Sequence, residues 1–176
     1  LINDEGFTVD TMVDRGFFVI GKKGNTQLHY ERALRDWMRT GKVRQRIRVK
    51  AKDMIDMGPG LQVEVIAANG NGRLLDMHRR NPEFFKENPP SENDYSVVLK
   101  FKLGAFELVT GGDLSGYDVS RRFGPVGVSY NDIESGIAGA IGDIEVYRVN
   151  HHGSKNSSNP CFIKVLAPEV SIFSTG

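Results

Sequence analysis

The residues best placed to do chemistry in this chain are one acid and one pair of imidazoles. Asp113 closes Thr110-Gly111-Gly112-Asp113, and the pair sits in Val149-Asn150-His151-His152-Gly153-Ser154. Both motifs follow apolar, β-rich runs, so both are expected at strand ends, where side chains leave a sheet and converge on a cleft. Glycines ahead of an acid let the backbone turn sharply and expose the carboxylate. A carboxylate with an imidazole suits a divalent metal or acid–base work. Two adjacent imidazoles cannot point the same way off a strand. At most one is therefore expected on a given metal, leaving the other to orient a substrate, move a proton or support a ligand from behind. The bland alternative is a turn aspartate and a solvated histidine pair. His29, in Leu28-His29-Tyr30-Glu31, reads as an exposed helix residue, and His78, in Met77-His78-Arg79-Arg80, as a loop residue.

A second feature concerns partners. From Val43 to Lys52 apolar or neutral residues alternate with Arg44, Arg46, Arg48, Lys50 and Lys52. A period of two puts these five cations on one strand face, a stripe of roughly 27 Å at the usual strand rise. Such a line could follow the phosphates of single-stranded DNA. The competing explanation is an edge strand whose charges keep it from pairing with other chains.

The elements that must position these groups follow from periodicity and punctuation. Thr11-Met12-Val13 reads as a short strand ending in a turn at Asp14-Arg15-Gly16. Gln27 to Thr40 has near-helical apolar spacing at Leu28, Leu34, Trp37 and Met38, with Gly41 as the stop. Asp53 to Met57, Pro59-Gly60 and Leu61 to Ala67 read as strand, turn and strand. Asn69 to Asp94, rich in Gly, Pro and charge, reads as a long irregular loop with one helical turn near Glu83 to Lys86. Ser96 to Leu103 and Phe106 to Thr110 form a hairpin that delivers Asp113. A helix is expected over Ile133 to Ile141, a strand over Asp143 to Asn150, a short helix over Phe162 to Leu166, and a last strand over Glu169 to Phe173. Strands mixed with helices and hairpins indicate an α/β (α+β) arrangement of sheets covered by helices.

At 176 residues, 39% hydrophobic and 26% charged, the chain has room for one domain with a core and excludes a disordered or fibrous class. No apolar run reaches the roughly 18–20 residues of a membrane span. The one cysteine, Cys161, excludes an internal disulfide framework and a cysteine-rich zinc site. A net charge of +1 argues for no global attraction to nucleic acid. The chain opens on Leu1 and stops just after Val170-Ser171-Ile172-Phe173. We expect a single domain over residues 1–176, cut at both ends.

Read together, Glu92-Asn93-Asp94-Tyr95-Ser96-Val97-Val98-Leu99, Thr110 to Gly116, Ile133-Glu134-Ser135, Val149 to Ser154, Ser157-Ser158-Asn159 and Pro168 to Ile172 resemble a metallo-β-lactamase-fold hydrolase. The likeness is to the C-terminal portion of the hydrolase domain of ComEC-type competence proteins and their free-standing relatives. It covers residues 90 to 176 well and, more loosely, Val13-Asp14-Arg15-Gly16. The resemblance implies an αββα sandwich with two divalent metal ions, zinc or manganese, at one edge. It implies that Asp113 bridges the metals and that a histidine of the pair is a terminal ligand. His151, nearer the strand end, is favoured over His152, and the choice stays open. Asn93 falls on the rim of the implied site, and Ser154 and Lys155 are candidates for a substrate's anionic group. The family's main ligand string, His-x-(His/Asp)-x-Asp-His, is absent from this sequence, so the chain is expected to carry an incomplete ligand set and to be inactive alone. The expected activity of the whole enzyme is metal-dependent hydrolysis, phosphodiesterase- or nuclease-like and related to DNA. The alternatives are a hydrolase of a small ester, lactone or thioester on the same fold, or an inactive binding or assembly module.

Overall fold

The computed structural model describes residues 7–87, 89–116 and 132–174, and the single-domain reading of residues 1–176 takes in stretches outside them. The described residues form a mixed α/β structure with two sheets. Strand β1 (Val9–Asp14), helix α1 (Asn25–Arg39) and strand β2 (Val43–Arg48) make a βαβ unit in which the two strands pair in parallel. Strands β3 (Met54–Asp56), β4 (Leu61–Ala67), β5 (Val98–Leu103), β6 (Phe106–Thr110), β7 (Val146–Arg148) and β8 (Val170–Ile172) form a six-stranded sheet in sequential order. The sheet is antiparallel as far as β6, then parallel from β6 through β7 to β8.

Two apolar clusters glue the layers. On one face, Ala67, Val98, Val109 and Tyr147 meet residues of helices α2 (Arg73–Arg80), α3 (Pro82–Glu87), α4 (Ile133–Ile141) and α5 (Pro160–Leu166). The smaller cluster, Val49, Val65 and Ala68 with Val13, Ile55, Val97 and Leu99 against it, joins the two sheets. An irregularity between Val65 and Ala67 lets β4 serve both clusters, Val65 in one and Ile66 with Ala67 in the other. Such a bulge breaks the strict alternation of a strand.

Three expectations need correction. Asn69 to Asp94 is largely helical, with 3-10 turns at Asn69–Gly72 and Glu92–Tyr95 around α2 and α3. Asn81-Pro82 looks like loop punctuation, yet Pro82 occupies the first turn of α3 and the Asn81 side chain accepts a hydrogen bond from the Phe84 amide at 3.2 Å. Proline is tolerated there because that amide needs no intrahelical partner. Buried Leu74 and Phe85 anchor the two helices on the core. The buried stripe of α1 is Gln27, Glu31 and Leu34 rather than an apolar one. Glu31 is bonded to Lys23 and, at 3.3 Å, to Arg35, which makes its burial tolerable.

The basic stripe is the third correction. Strand β2 ends at Arg48, so Arg44, Arg46 and Arg48 share it and Lys50 and Lys52 do not. The chain turns because the Asp53 carboxylate accepts from the Lys50 amide at 2.9 Å, and Lys52 takes a left-handed φ of 74°. Arg46 is committed elsewhere: its guanidinium makes two 2.9 Å bonds to Asp14 and lies 3.9 Å from the centre of the Phe17 ring. Arg44 pairs with Asp10 at 3.0 Å on the surface.

Candidate functional site

Parallel strands bring their carboxyl ends to one edge, and in α/β sheets that edge is where ligands bind. Here β6 leads into Gly111-Gly112-Asp113, β7 into Asn150-His151-His152-Gly153, and β8 into Phe173-Ser174. The loops are tied by main-chain bonds: the His151 amide donates to the Gly112 carbonyl at 2.9 Å, and the Gly116 amide to the Asn156 carbonyl at 3.0 Å.

The histidine pair lies on a kinked 3-10 turn rather than on the strand. His151 (φ 48°, ψ 43°) and His152 (φ 55°, ψ 23°) are both left-handed. Two successive non-glycine residues in that region store roughly 1–3 kcal/mol each and occur where surrounding structure enforces them. The rings are consequently splayed, with centroids 6.5 Å apart and planes at 67°. His152 Nδ1 is bonded to the Ser174 carbonyl, and its Nε2 lies 3.4 Å from Asp113 Oδ1. His151 Nδ1 is buried and has no hydrogen-bond partner among the described residues.

Geometry therefore places His152, rather than the expected first choice His151, beside Asp113. A backbone carbonyl on the far ring nitrogen leaves Nε2 with its lone pair, which is the support a metal-ligating imidazole receives. Asp113 oxygen and His152 nitrogen are donors of the right kind for a divalent cation. They are too few, because a zinc site needs three or more protein ligands. Among the described residues no three His, Cys, Asp or Glu side chains are grouped so as to hold a metal ion.

The remaining expected residues divide. Asn93 lies in the 3-10 turn before β5, its carbonyl accepting from the Ser96 amide at 3.2 Å, and that turn backs onto the site: a Cβ on Gly112 would lie 3.9 Å from Ser96 Oγ. Ser154 Oγ is spent within its own turn, accepting from the Asn156 amide at 3.3 Å. Lys155, three residues after His152, is exposed. Arg44, Arg46 and Arg48 lie on β2, outside the loops that hold Asp113 and the pair.

Sequence reasoning missed the frame beneath the site. Glu134 and Asn150 are 0% and 1% exposed, and the Asn150 amide donates to the Tyr147 hydroxyl at 3.0 Å. Burial pushes the Tyr147 phenol up to about 12, against the opposing hydrogen bonds of Ser158 and Asn150. An acid between an isoleucine and a serine carries no local signal of this role. A cleft of about 450 Å³ beside β1 and α1, lined by Asp14, Arg15, Gln27, Tyr30 and Glu92, is a weaker candidate. Its charged groups satisfy one another: Tyr30 donates to Asp14 at 2.6 Å and Arg15 to Glu92 at 2.6 Å.

A comparison with protein-family models finds no match for the chain. Over 104 residues the chain is 30% identical to ComE operon protein 3 of Bacillus subtilis (strain 168). That stretch is 58% of this chain and 11% of the relative, so the chain spans only a small part of the protein it matches. Among the described residues no helix is long and apolar enough to cross a membrane.

Proposed function

We propose that this chain is part of a metal-dependent hydrolase of metallo-β-lactamase fold, phosphodiesterase- or nuclease-like and related to DNA, of the ComEC type. The observation that carries the reading is the 3.4 Å approach of His152 Nε2 to Asp113 Oδ1 at the carboxyl ends of parallel strands. The likeness to ComE operon protein 3 supports it, as do two sheets joined by one apolar cluster with helices covering the larger sheet. The reading requires ligands in addition to this pair. Divalent cations bound there would supply Lewis acidity and a water acidic enough to ionise near neutral pH. The chain's own residues have separate tasks. Ser174 holds the His152 ring through Nδ1, the Gly112 carbonyl holds the His151 amide, and exposed Lys155 offers a cation to a phosphoryl group.

A titration of the chain with Mn²⁺, followed by NMR, tests the proposal. The expected result is selective broadening of the amides of Asp113 and of residues 151–154, abolished by Asp113→Asn. Broadening absent from this edge, or unchanged in Asp113→Asn, removes the reading.

A further inference from the structure

The candidate site rests on a buried carboxylate that none of its expected chemistry uses. Glu134, in the first turn of α4, is 0% exposed. Its Oε1 accepts from Asn150 Nδ2 at 2.8 Å and from the Ser158 amide at 2.7 Å, and its Oε2 accepts from the Asn159 amide at 2.8 Å. Asn150 is the residue before His151, while Ser158 and Asn159 close the same loop from behind. Gly116, three residues after Asp113, covers the remaining side. A Cβ there would lie 1.7 Å from Glu134 Oε2, so the backbone at Gly116 packs directly on the carboxylate.

One side chain is therefore touched by the segment after Asp113, the segment before the histidines and the segment after them. Stability alone does not account for it. Burying an ionisable group costs several kcal/mol before its hydrogen bonds are counted, and apolar replacements of buried charged networks are often as stable. What a buried carboxylate held by three donors does provide is a fixed geometry, although Asn150 Oδ1 has no partner among the described residues. Geometry is what the left-handed pair at His151 and His152 requires, since that backbone relaxes unless held.

We infer that Glu134 is a positioning residue: its carboxylate clamps Asn150, Ser158 and Asn159, and so holds the His151–His152 turn against Gly112 and Asp113. The inference rests on the proposed function only for what the turn is for. The clamp itself is a statement about the backbone. Asn150 transmits it in two ways, through its side chain to Glu134 and through its carbonyl, which accepts from Ser157 Oγ at 2.9 Å.

The test is NMR of the whole chain carrying Glu134→Gln, which keeps the shape but turns one acceptor into a donor facing other donors. Backbone chemical shifts of His151 and His152 are expected to lose their left-handed signature while amides of β4 and β5 stay in place. Mn²⁺ broadening at Asp113 is expected to need about tenfold more metal, the scale of losing an outer support of a ligand. A Val63→Ala control, matched for lost stability, should leave the turn intact. The inference is overturned if Glu134→Gln preserves the turn, or if the control loosens it equally. Should Glu134→Gln fail to fold, Asn150→Ala carries the same test, because it leaves the carboxylate with its two main-chain donors. A turn unchanged in Asn150→Ala overturns the clamp. If the unsubstituted chain shows no Mn²⁺ effect, the proposed function falls while the backbone test still decides the clamp.

Discussion

His152 and His151 are neighbours in sequence with different surroundings, and it is His152 that lies beside Asp113. The His152 and Asp113 side chains are 52% and 41% exposed, so neither is a prop of the core. Substituting such residues changes stability by about 0.5 kcal/mol or less. His152→Ala and Asp113→Asn should each weaken Mn²⁺ binding about tenfold or more and leave the melting temperature nearly unmoved. Equal retention of metal in both variants, measured by the same titration, would contradict the pairing seen here. Gly116 makes the reverse case. Its alanine variant forces a methyl group into the Glu134 carboxylate, and overpacking of this kind costs about 1–3 kcal/mol. Urea unfolding should show that loss in the midpoint, and a Gly116→Ala midpoint equal to wild type would mean the packing around Glu134 is looser than described. At this scale the sequence makes Asp113 and the histidine pair legible, because glycines and imidazoles announce themselves. Glu134 and Asn150 are not legible, because their roles exist only once α4 is laid beside the β7 loop.

Elements with one dominant period are the ones a reader of the sequence can place. β1, α1, the β5–β6 hairpin and α4 lie where their patterns put them. The pattern misleads where side chains override the period. Asp53 turned the chain out of β2, and Asn81 with Pro82 opened a helix inside an apparent loop. The β1–β2 unit also has a charge dependence that can be measured. Burial raises the Asp14 carboxyl, but hydrogen bonds from Arg46, Tyr30 and the Gly16 amide outweigh it and leave the acid below its ordinary value. A lowered folded-state value means the contribution to stability is complete above the unfolded value of about 3.9 and is lost as pH falls through the folded one. Asp14→Asn should therefore lower stability at neutral pH and flatten the acid limb of a stability-against-pH curve. An acid limb of unchanged slope would place the titrating group elsewhere. The same Asp14 depresses ionisation of Tyr30, whose phenol burial and the carboxylate together push upward.

Across the whole molecule the question is whether the basic side chains serve a polyanion. A net charge of +1 provides no global attraction, so binding to DNA must come from a local set. Had all five cations of residues 44–52 lined one strand face, the slope of log K against log salt would be about −3.5 for single strands. With Arg46 locked on Asp14 and Phe17, and Arg44 paired with Asp10, the set left to meet phosphates is Arg48, Lys50 and Lys52. Three such contacts give a slope of about −2. Fluorescence anisotropy with a labelled single-stranded oligonucleotide, from low to physiological salt, reads this directly. Replacing Arg48, Lys50 and Lys52 together by Gln should take the slope close to zero and leave the fold intact. Arg46→Gln should do the opposite, lowering the melting temperature through Asp14 while leaving the slope where it was. Binding absent at low salt would remove DNA as a partner of this surface. A slope that Arg46→Gln lowers as much as any other substitution would mean that the Asp14 pairing opens on contact with phosphate and that Arg46 joins the set.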